Sequence, residues 1–159
     1  MDIRISASAE IEAPAATVYE LIADYRNGHP RILPPEYFGR LDVLEGGRGE
    51  GTKIRFEMKA FGRVNVAEAR ITEPAPGREL HETLGDGTLT AFVVEPLGDS
   101  KSRVTITTSY RRGGLRGLVE AILAPRYLAR VYAAELAQLV REATGRREPE
   151  RRAESAVLQ

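Results

Sequence analysis

Two histidines are the first candidates for acid–base or metal chemistry in this sequence. His29 lies in the proline-rich stretch 28–35, and His81 sits between Leu80 and Glu82 in an apolar–polar alternation. Cysteine is absent and no HExxH spacing occurs, so the chain has no zinc-binding pattern, and we expect neither a metal nor a cofactor. We interpret His81 as a surface or core histidine. His29 is the stronger candidate for ligand contact, because binding residues concentrate on loops.

Nucleophilic catalysis and phosphate binding have no support in the sequence. The Gly-x-Ser-x-Gly pattern is missing, and the glycine-rich stretch 46–51 lacks the Gly-Lys-Ser/Thr ending of a phosphate-binding loop. That stretch joins two predicted strands, so we interpret it as a hairpin. For Glu68 and Arg70 an exposed ion pair on the outer face is favoured, and a polar anchor inside a cavity is the alternative. The same question is open for Glu135.

Three tyrosines could offer hydroxyl groups to an apolar pocket. Tyr110 ends the last predicted strand, and Tyr127 and Tyr132 lie on a predicted helix. An apolar wall with few polar anchors is typical of ligand sites. The alternative is a packed interface whose hydroxyls reach solvent. Tyr127 and Tyr132 are five residues apart, so only one of them is expected to face inward.

An alternation of apolar and polar residues predicts the strands that position these groups. The predicted strands span residues 3–11, 40–45, 52–60, 63–73, 78–84, 88–97 and 103–111. Their short spacing favours an antiparallel meander. The fourth strand is ambiguous, because Val64 and Val66 imply one inward face and Ala69 and Ile71 the other. A bulge near Ala67 would reconcile them.

Two helical regions flank this run of strands. Pro14 opens a helix over residues 15–25, after which Asn27-Gly28 and further prolines allow only short turns. Residues 115–143 predict the longest helix, roughly 40 Å in length, with a kink at Pro125. Residues 145–159 carry little apolar content, so we expect one domain over 1–144 followed by a flexible tail.

One helix about 10 Å wide cannot cover seven flat strands, so the sheet must curl around it. The predicted class is therefore α+β: a curved seven-stranded antiparallel sheet wrapped around a long C-terminal helix, with short helices after strand 1. Tryptophan is absent and several inward candidates are small, namely Ala7, Ala9, Ala60, Ala67, Ala69 and Ala91. This composition indicates an apolar cavity, and a normally packed core is the alternative. The expected ligand contacts are His29, Phe56, Met58, Phe92, Tyr110, Leu118, Ile122, Tyr127, Leu128, Val131 and Tyr132.

Five stretches together resemble a known superfamily. They are residues 9–14 (AEIEAP), 18–25 (VYELIADY), 43–52 (VLEGGRGEGT), 73–80 (EPAPGREL) and 135–139 (ELAQL). In this order they resemble the START-like, or SRPBCC, superfamily with its Bet v 1-like fold, and within it the bacterial polyketide cyclase/dehydrase and lipid transport proteins. The resemblance implies a helix-grip fold with a hydrophobic cavity. It supplies no universal catalytic residue, and members include lipid and quinone carriers as well as aromatase/cyclases.

The composition of the chain limits the classes of partner and the cellular setting that we expect. Lys plus Arg and Asp plus Glu both number 23, and this balance argues against nucleic-acid binding. No apolar run approaches the about 20 residues that span a bilayer, so we expect no stable membrane insertion. The absence of cysteine and of a signal-peptide pattern favours a cytoplasmic protein. We expect this protein to be a monomer or a homodimer.

Two functions remain open. One is binding or transport of a hydrophobic small molecule such as a lipid, isoprenoid quinone or polyketide. The other is a polyketide cyclase or dehydratase acting on a hydrophobic chain. An inward-facing titratable group with a displaced pKa would distinguish the enzyme from the carrier.

Overall fold

One antiparallel sheet of seven strands organises the computed structural model, which describes residues 2–60, 62–111 and 125–145. The strands are β1 (Asp2–Ile11), β2 (Phe38–Glu45), β3 (Lys53–Ala60), β4 (Arg63–Ala75), β5 (Glu79–Leu84), β6 (Leu89–Pro96) and β7 (Ser102–Arg111). Their spatial order is β1-β7-β6-β5-β4-β3-β2. The strands β2 to β7 therefore form the predicted meander. Strand β1 pairs with β7 and forms the edge of the sheet opposite β2.

The burial of the strands follows the alternation in the sequence, and the structure settles which face of β4 points inward. Ala69 and Ile71 are buried, whereas Val64 and Val66 are 57% and 56% exposed. Pairing with β3 continues without a register shift through Ala67, so the bulge expected there is absent. The expectation was wrong because it required every valine to be buried. Valine also favours strands on a solvated face, since its branched side chain suits extended backbone.

Three helices are described: α1 (Ala15–Ala23), α2 (His29–Ile32) and α3 (Pro125–Gly145). The predicted first helix ends two residues early, at Ala23, where the Asp24 carboxylate accepts hydrogen bonds from the following backbone N–H groups. Residues 115–124, where the sequence predicts the start of the long helix, lie outside the described residues. Of the expected tail at 145–159, Gly145 ends α3 and the other residues lie outside the described residues. No helix among the described residues is both long enough and apolar enough to cross a membrane.

The inner face of the sheet and the helices share one hydrophobic core. Helix α3 buries Leu128, Val131, Leu136 and Leu139 and packs against β1 and α2, while α1 packs against β6. The α+β helix-grip class predicted from the sequence is confirmed. One small residue was misplaced: Ala91 alternates with the inward Phe92 and therefore lies on the outer face.

The glycine-rich turn between β2 and β3 is a hairpin connection, as predicted, and it also holds the end of α1. The Gly49 N–H donates to the Ala23 carbonyl at 3.0 Å, and the Tyr25 N–H donates to the Gly47 carbonyl at 2.9 Å. Gly49 adopts φ +58°, and a Cβ there would lie 2.0 Å from a Glu73 carboxylate oxygen. Only glycine fits at this position without displacing Glu73. The turn thereby fixes the segment that leads from α1 into α2.

Candidate functional site

A cavity of about 90 Å³ lies between the inner face of the sheet and α3. Most of its wall is apolar and is formed by strands β2 to β6, by helix α3 and by the residue that follows α2. These apolar residues are Leu33, Phe38, Leu41, Ile54, Phe56, Met58, Ala67, Leu84, Phe92 and Leu128. A smaller polar set completes the wall: His29, Asn65, Glu82, Thr88, Thr90, Thr108, Tyr132 and Glu135. An apolar hollow with few polar groups is the usual form of a small-molecule site.

Six of the residues expected to contact ligand line this cavity. They come from four elements: His29 on α2, Phe56 and Met58 on β3, Phe92 on β6, and Leu128 and Tyr132 on α3. Leu118 and Ile122 lie outside the described residues. The alternation of the strands, the three- to four-residue spacing on α3 and the expected loop position of His29 were the signals that identified this set.

Three other expected contacts lie elsewhere. Val131 is fully buried in the core and is not among the residues that line the cavity. Tyr110 packs partly buried against the core, beyond the cavity wall. Tyr127 lines a separate, more exposed depression, where its hydroxyl donates to the Lys59 carbonyl and its ring meets Tyr37 edge-on at 5.7 Å. Of the two helix tyrosines, Tyr132 is therefore the inward one.

His29 is held in place at the cavity wall by three contacts. Its side chain is buried, with 2% exposed, and its Nδ1 lies 2.8 Å from the Ile22 carbonyl. Because a carbonyl only accepts hydrogen bonds, Nδ1 carries the proton and Nε2 is the ring atom able to take up or release one. Tyr25 stacks on the ring at 4.4 Å, and Phe92 meets it edge-on at 5.7 Å.

Glu82 on β5 joins His29 and Tyr25 in one polar group. The Tyr25 hydroxyl donates to Glu82 Oε1 at 2.6 Å, and His29 Nε2 lies 3.5 Å from the same oxygen. Burial raises the pKa of the Tyr25 hydroxyl well above its usual value, and the neighbouring Glu82 charge adds to the shift. Tyr25 therefore remains a hydrogen-bond donor to Glu82.

Glu135 on α3 is the most unusual titratable group of the cavity. Its side chain is buried, with 3% exposed, yet it lines the cavity and receives no hydrogen bond from the part of the chain that the structure describes. Burial raises the pKa of its carboxyl well above the usual value, and repulsion from Glu82 raises it further. Burial and the nearby Glu82 therefore both favour the protonated form of this carboxyl.

A chain of hydroxyl groups lines the opposite part of the wall. The Thr90 and Thr108 hydroxyls are 2.8 Å apart, and Thr108 also bonds to the Tyr132 hydroxyl. Burial raises the pKa of Tyr132, so this phenol stays protonated. These three hydroxyls satisfy one another, whereas Glu135 makes no hydrogen bond with any described residue and keeps its capacity for a ligand.

Sequence reasoning did not identify Glu82 or Tyr25 as part of the site. The signal for Glu82 was available, because it alternates with the apolar Leu80 and Leu84 on β5 and so shares their inward face. The contact between Tyr25 and Glu82 joins residues 57 positions apart and has no local signal.

The remaining charged candidates face away from the cavity. Glu68 lies on the outer face and pairs with Arg55 at 2.8 Å and Lys53 at 3.8 Å, so the favoured exposed ion pair exists, although its partner is not Arg70. The hydrogen bond from Arg55 lowers the pKa of Glu68. His81 lies 2.7 Å from a Glu79 carboxylate oxygen and is partly exposed. Within the described ranges, no three potential metal ligands cluster together.

Comparison with known protein families decides the affiliation. The model of the "Polyketide cyclase / dehydrase and lipid transport" family matches residues 2–144. The chain belongs to this family. A comparison with curated protein sequences gives no match. The family resemblance found in the sequence is thereby confirmed, and the matched residues include every element that lines the cavity.

Solved structures share the fold of this polyketide cyclase/dehydrase family member. The KanY protein (ms6282) is 27% identical, with a TM-score of 0.76, covering 90% of this chain and 98% of its own. The Zhui aromatase/cyclase from Streptomyces sp. R1128 is 24% identical, with a TM-score of 0.67 and coverages of 90% and 94%. A START superfamily protein from Mycobacterium smegmatis is 18% identical, with a TM-score of 0.66 and coverages of 86% and 96%.

Proposed function

We propose that the protein binds a hydrophobic small molecule in the cavity between the sheet and α3. The single observation that carries the proposal is the cavity wall itself, in which ten apolar side chains surround a few polar groups. Membership in a family described by cyclisation, dehydration and lipid transport supports the same class of ligand. We include His29, Phe56, Met58, Phe92, Leu128 and Tyr132 among the contacts.

The volume of the cavity bears on how a ligand enters. About 90 Å³ is smaller than the about 300–1,000 Å³ of sites that enclose drug-sized ligands. A lipid, quinone or polyketide therefore requires side chains of the wall to change rotamer as it binds. Met58 is suited to this, because its unbranched side chain adapts to irregular space at low energetic cost.

A second candidate function is acid–base catalysis of the cyclase or dehydratase type. The observation that favours it is that His29 and Glu135, a carboxyl whose pKa is raised by burial, line the same cavity. In a dehydration, His29 would remove the proton next to a carbonyl while Glu135 protonates the leaving hydroxyl. The C–H and C–O bonds break, a C=C bond forms and water leaves. The cavity would contribute by orienting the chain.

The cellular setting belongs to the same proposal. We place the protein in the cytoplasm, supported by the absence of cysteine, and we treat residues 1–144 as the binding domain with 145–159 as a tail. We expect a monomer or homodimer that neither binds nucleic acid nor inserts stably into membranes. Light scattering after gel filtration measures the oligomeric state.

Native mass spectrometry of the purified protein tests the binding proposal. We expect a defined apolar adduct, either carried through purification or taken up from a panel of quinones, lipids and aromatic polyketides. Ala67 lines the cavity and Val66, next to it on β4, is exposed on the outer face. Ala67→Leu fills the cavity and should abolish uptake, whereas Val66→Leu is the matched control and should leave it unchanged. Equal uptake by both variants would refute the site, and no uptake by the parent protein would refute the function.

Turnover separates the carrier from the enzyme. If the protein only carries its ligand, the extracted compound is unchanged after prolonged incubation. If it is a dehydratase, the product is lighter by one water, and His29→Gln and Glu135→Gln abolish turnover while retaining the bound compound.

A further inference from the structure

The polar groups of the cavity are unbalanced in charge. Two carboxyl groups, Glu82 and Glu135, line it. Across the described residues, no lysine or arginine lines it, and His29 is the one cavity-lining side chain that could become positively charged. A site built for a carboxylate or phosphate normally offers arginine, lysine or a set of backbone N–H groups. Among the described residues, this cavity offers carboxyl groups instead of cationic side chains.

The unused hydrogen-bonding capacity of Glu82 and Glu135 also favours a ligand group that donates hydrogen bonds. Glu82 Oε1 accepts from Tyr25 at 2.6 Å, which leaves its second oxygen available. Glu135 is 3% exposed and receives no hydrogen bond from any described residue, although it lies on the cavity wall. Because the Glu135 carboxyl lines the cavity and makes no hydrogen bond with a described residue, it is open to a polar group that arrives with the ligand.

We propose that the ligand is an apolar molecule whose polar group donates hydrogen bonds, a hydroxyl or an amine, and that this group lies against Glu135 and Glu82. The same arrangement rejects carboxylate and phosphate head groups, so free fatty acids are not ligands. This inference rests on the proposed binding function and narrows it to one chemical class.

The rejection of anions follows from the low polarity of the surroundings. A ligand carboxylate would lose its hydration and lie beside the Glu82 carboxylate, and no lysine or arginine among the described residues would compensate it. A hydroxyl or ammonium group would instead donate to the second oxygen of Glu82 and to the carbonyl oxygen of the Glu135 carboxyl. An ammonium would also lie near the faces of Phe56, Phe92 and Tyr132, which attract cations.

A matched series of one-ring compounds tests the inference by calorimetric titration at pH 7. The series is 4-butylphenol, 4-butylbenzylamine, 4-butyltoluene and 4-butylbenzoate, which differ in one substituent. We expect the phenol or the amine to bind more tightly than the toluene, and the benzoate to bind at least about tenfold more weakly than the better donor. The ratio of phenol to amine identifies which donor the site prefers.

Variants that remove the acidic groups connect this preference to the two carboxyls. In Glu82→Gln/Glu135→Gln, the benzoate should bind within about threefold of the phenol, because neither position can carry a negative charge. Glu68→Gln on the outer face is the control and should keep the parent preference. A parent protein that binds the benzoate as tightly as the donors overturns the inference alone, and this comparison needs no variant. Absence of binding by all four compounds overturns the binding function and the inference with it.

Discussion

The buried carboxyl of Glu135 makes stability depend on pH in a direction that the structure fixes. In the unfolded chain this carboxyl titrates near its usual value of 4.5, whereas burial and Glu82 raise its pKa well above that value in the folded protein. Between these two pKa values the folded state holds a proton that the unfolded state has lost. Linkage then requires the free energy of unfolding to fall as pH rises through this window, and to level off above the raised pKa.

The perturbation is Glu135→Gln, which keeps size and hydrogen-bonding capacity but cannot ionise. One proton corresponds to a slope of at most about 1.4 kcal/mol per pH unit. The parent protein should therefore lose stability relative to the variant by up to that amount per unit above pH 4.5. Glu82 and Tyr25, which interact electrostatically with the carboxyl, and His29, which lines the same cavity, are retained in both proteins, so the difference between the two curves isolates Glu135.

Urea unfolding followed by circular dichroism between pH 4 and pH 9 measures the difference. Glu68→Gln is the control, because the pKa of that exposed carboxyl is lowered by Arg55 and its effect has the opposite sign. Below pH 4.5, where Glu135 is protonated in both states, the parent and Glu135→Gln should run parallel. A difference between them that stays constant over the whole range would refute the buried, protonated carboxyl.

Gly49→Ala and Tyr25→Phe test the contacts that position the site, by the same urea unfolding, and Gly77→Ala is the reference for Gly49→Ala. Gly77 and Gly49 both have positive φ, but a Cβ at Gly77 meets nothing within 4 Å, whereas one at Gly49 meets Glu73. We expect Gly77→Ala to cost about 1–2 kcal/mol and Gly49→Ala at least about 3 kcal/mol, and equal costs would contradict the role of Glu73. Tyr25→Phe removes the hydrogen bond to Glu82 and should cost about 1.5–3 kcal/mol, so a change below about 0.5 kcal/mol would show that the bond contributes nothing.

Most of the fold followed from local patterns in the sequence. Alternation located every strand to within two residues at each end, because one face of the sheet is buried and the other solvated. The inward face of β4 was the exception. Val64 and Val66 are apolar yet exposed, so their hydrophobicity indicated the wrong face. The geometry of β4 became clear only from its pairing with β3, which is a non-local property.

The candidate site was only partly predictable for a similar reason. The apolar wall, including Phe56 and Leu128, repeats with the period of its element and was identified. Val131 was wrongly included because one helical turn presents both core and cavity positions. The link from Tyr25 through Glu82 to His29 joins two chain segments about fifty residues apart, so no local pattern encodes it.

The position of a bound ligand tests the central claim most directly. Isotope-filtered nuclear Overhauser measurements on methyl-labelled protein with 4-butylphenol report which methyl groups lie near the ligand. We expect contacts to the cavity methyls of Leu84 and Leu128 and none to those of the exposed Val64 and Val66. Contacts confined to Val64 and Val66 would place the ligand on the outer face of the sheet and contradict a binding cavity between the sheet and α3.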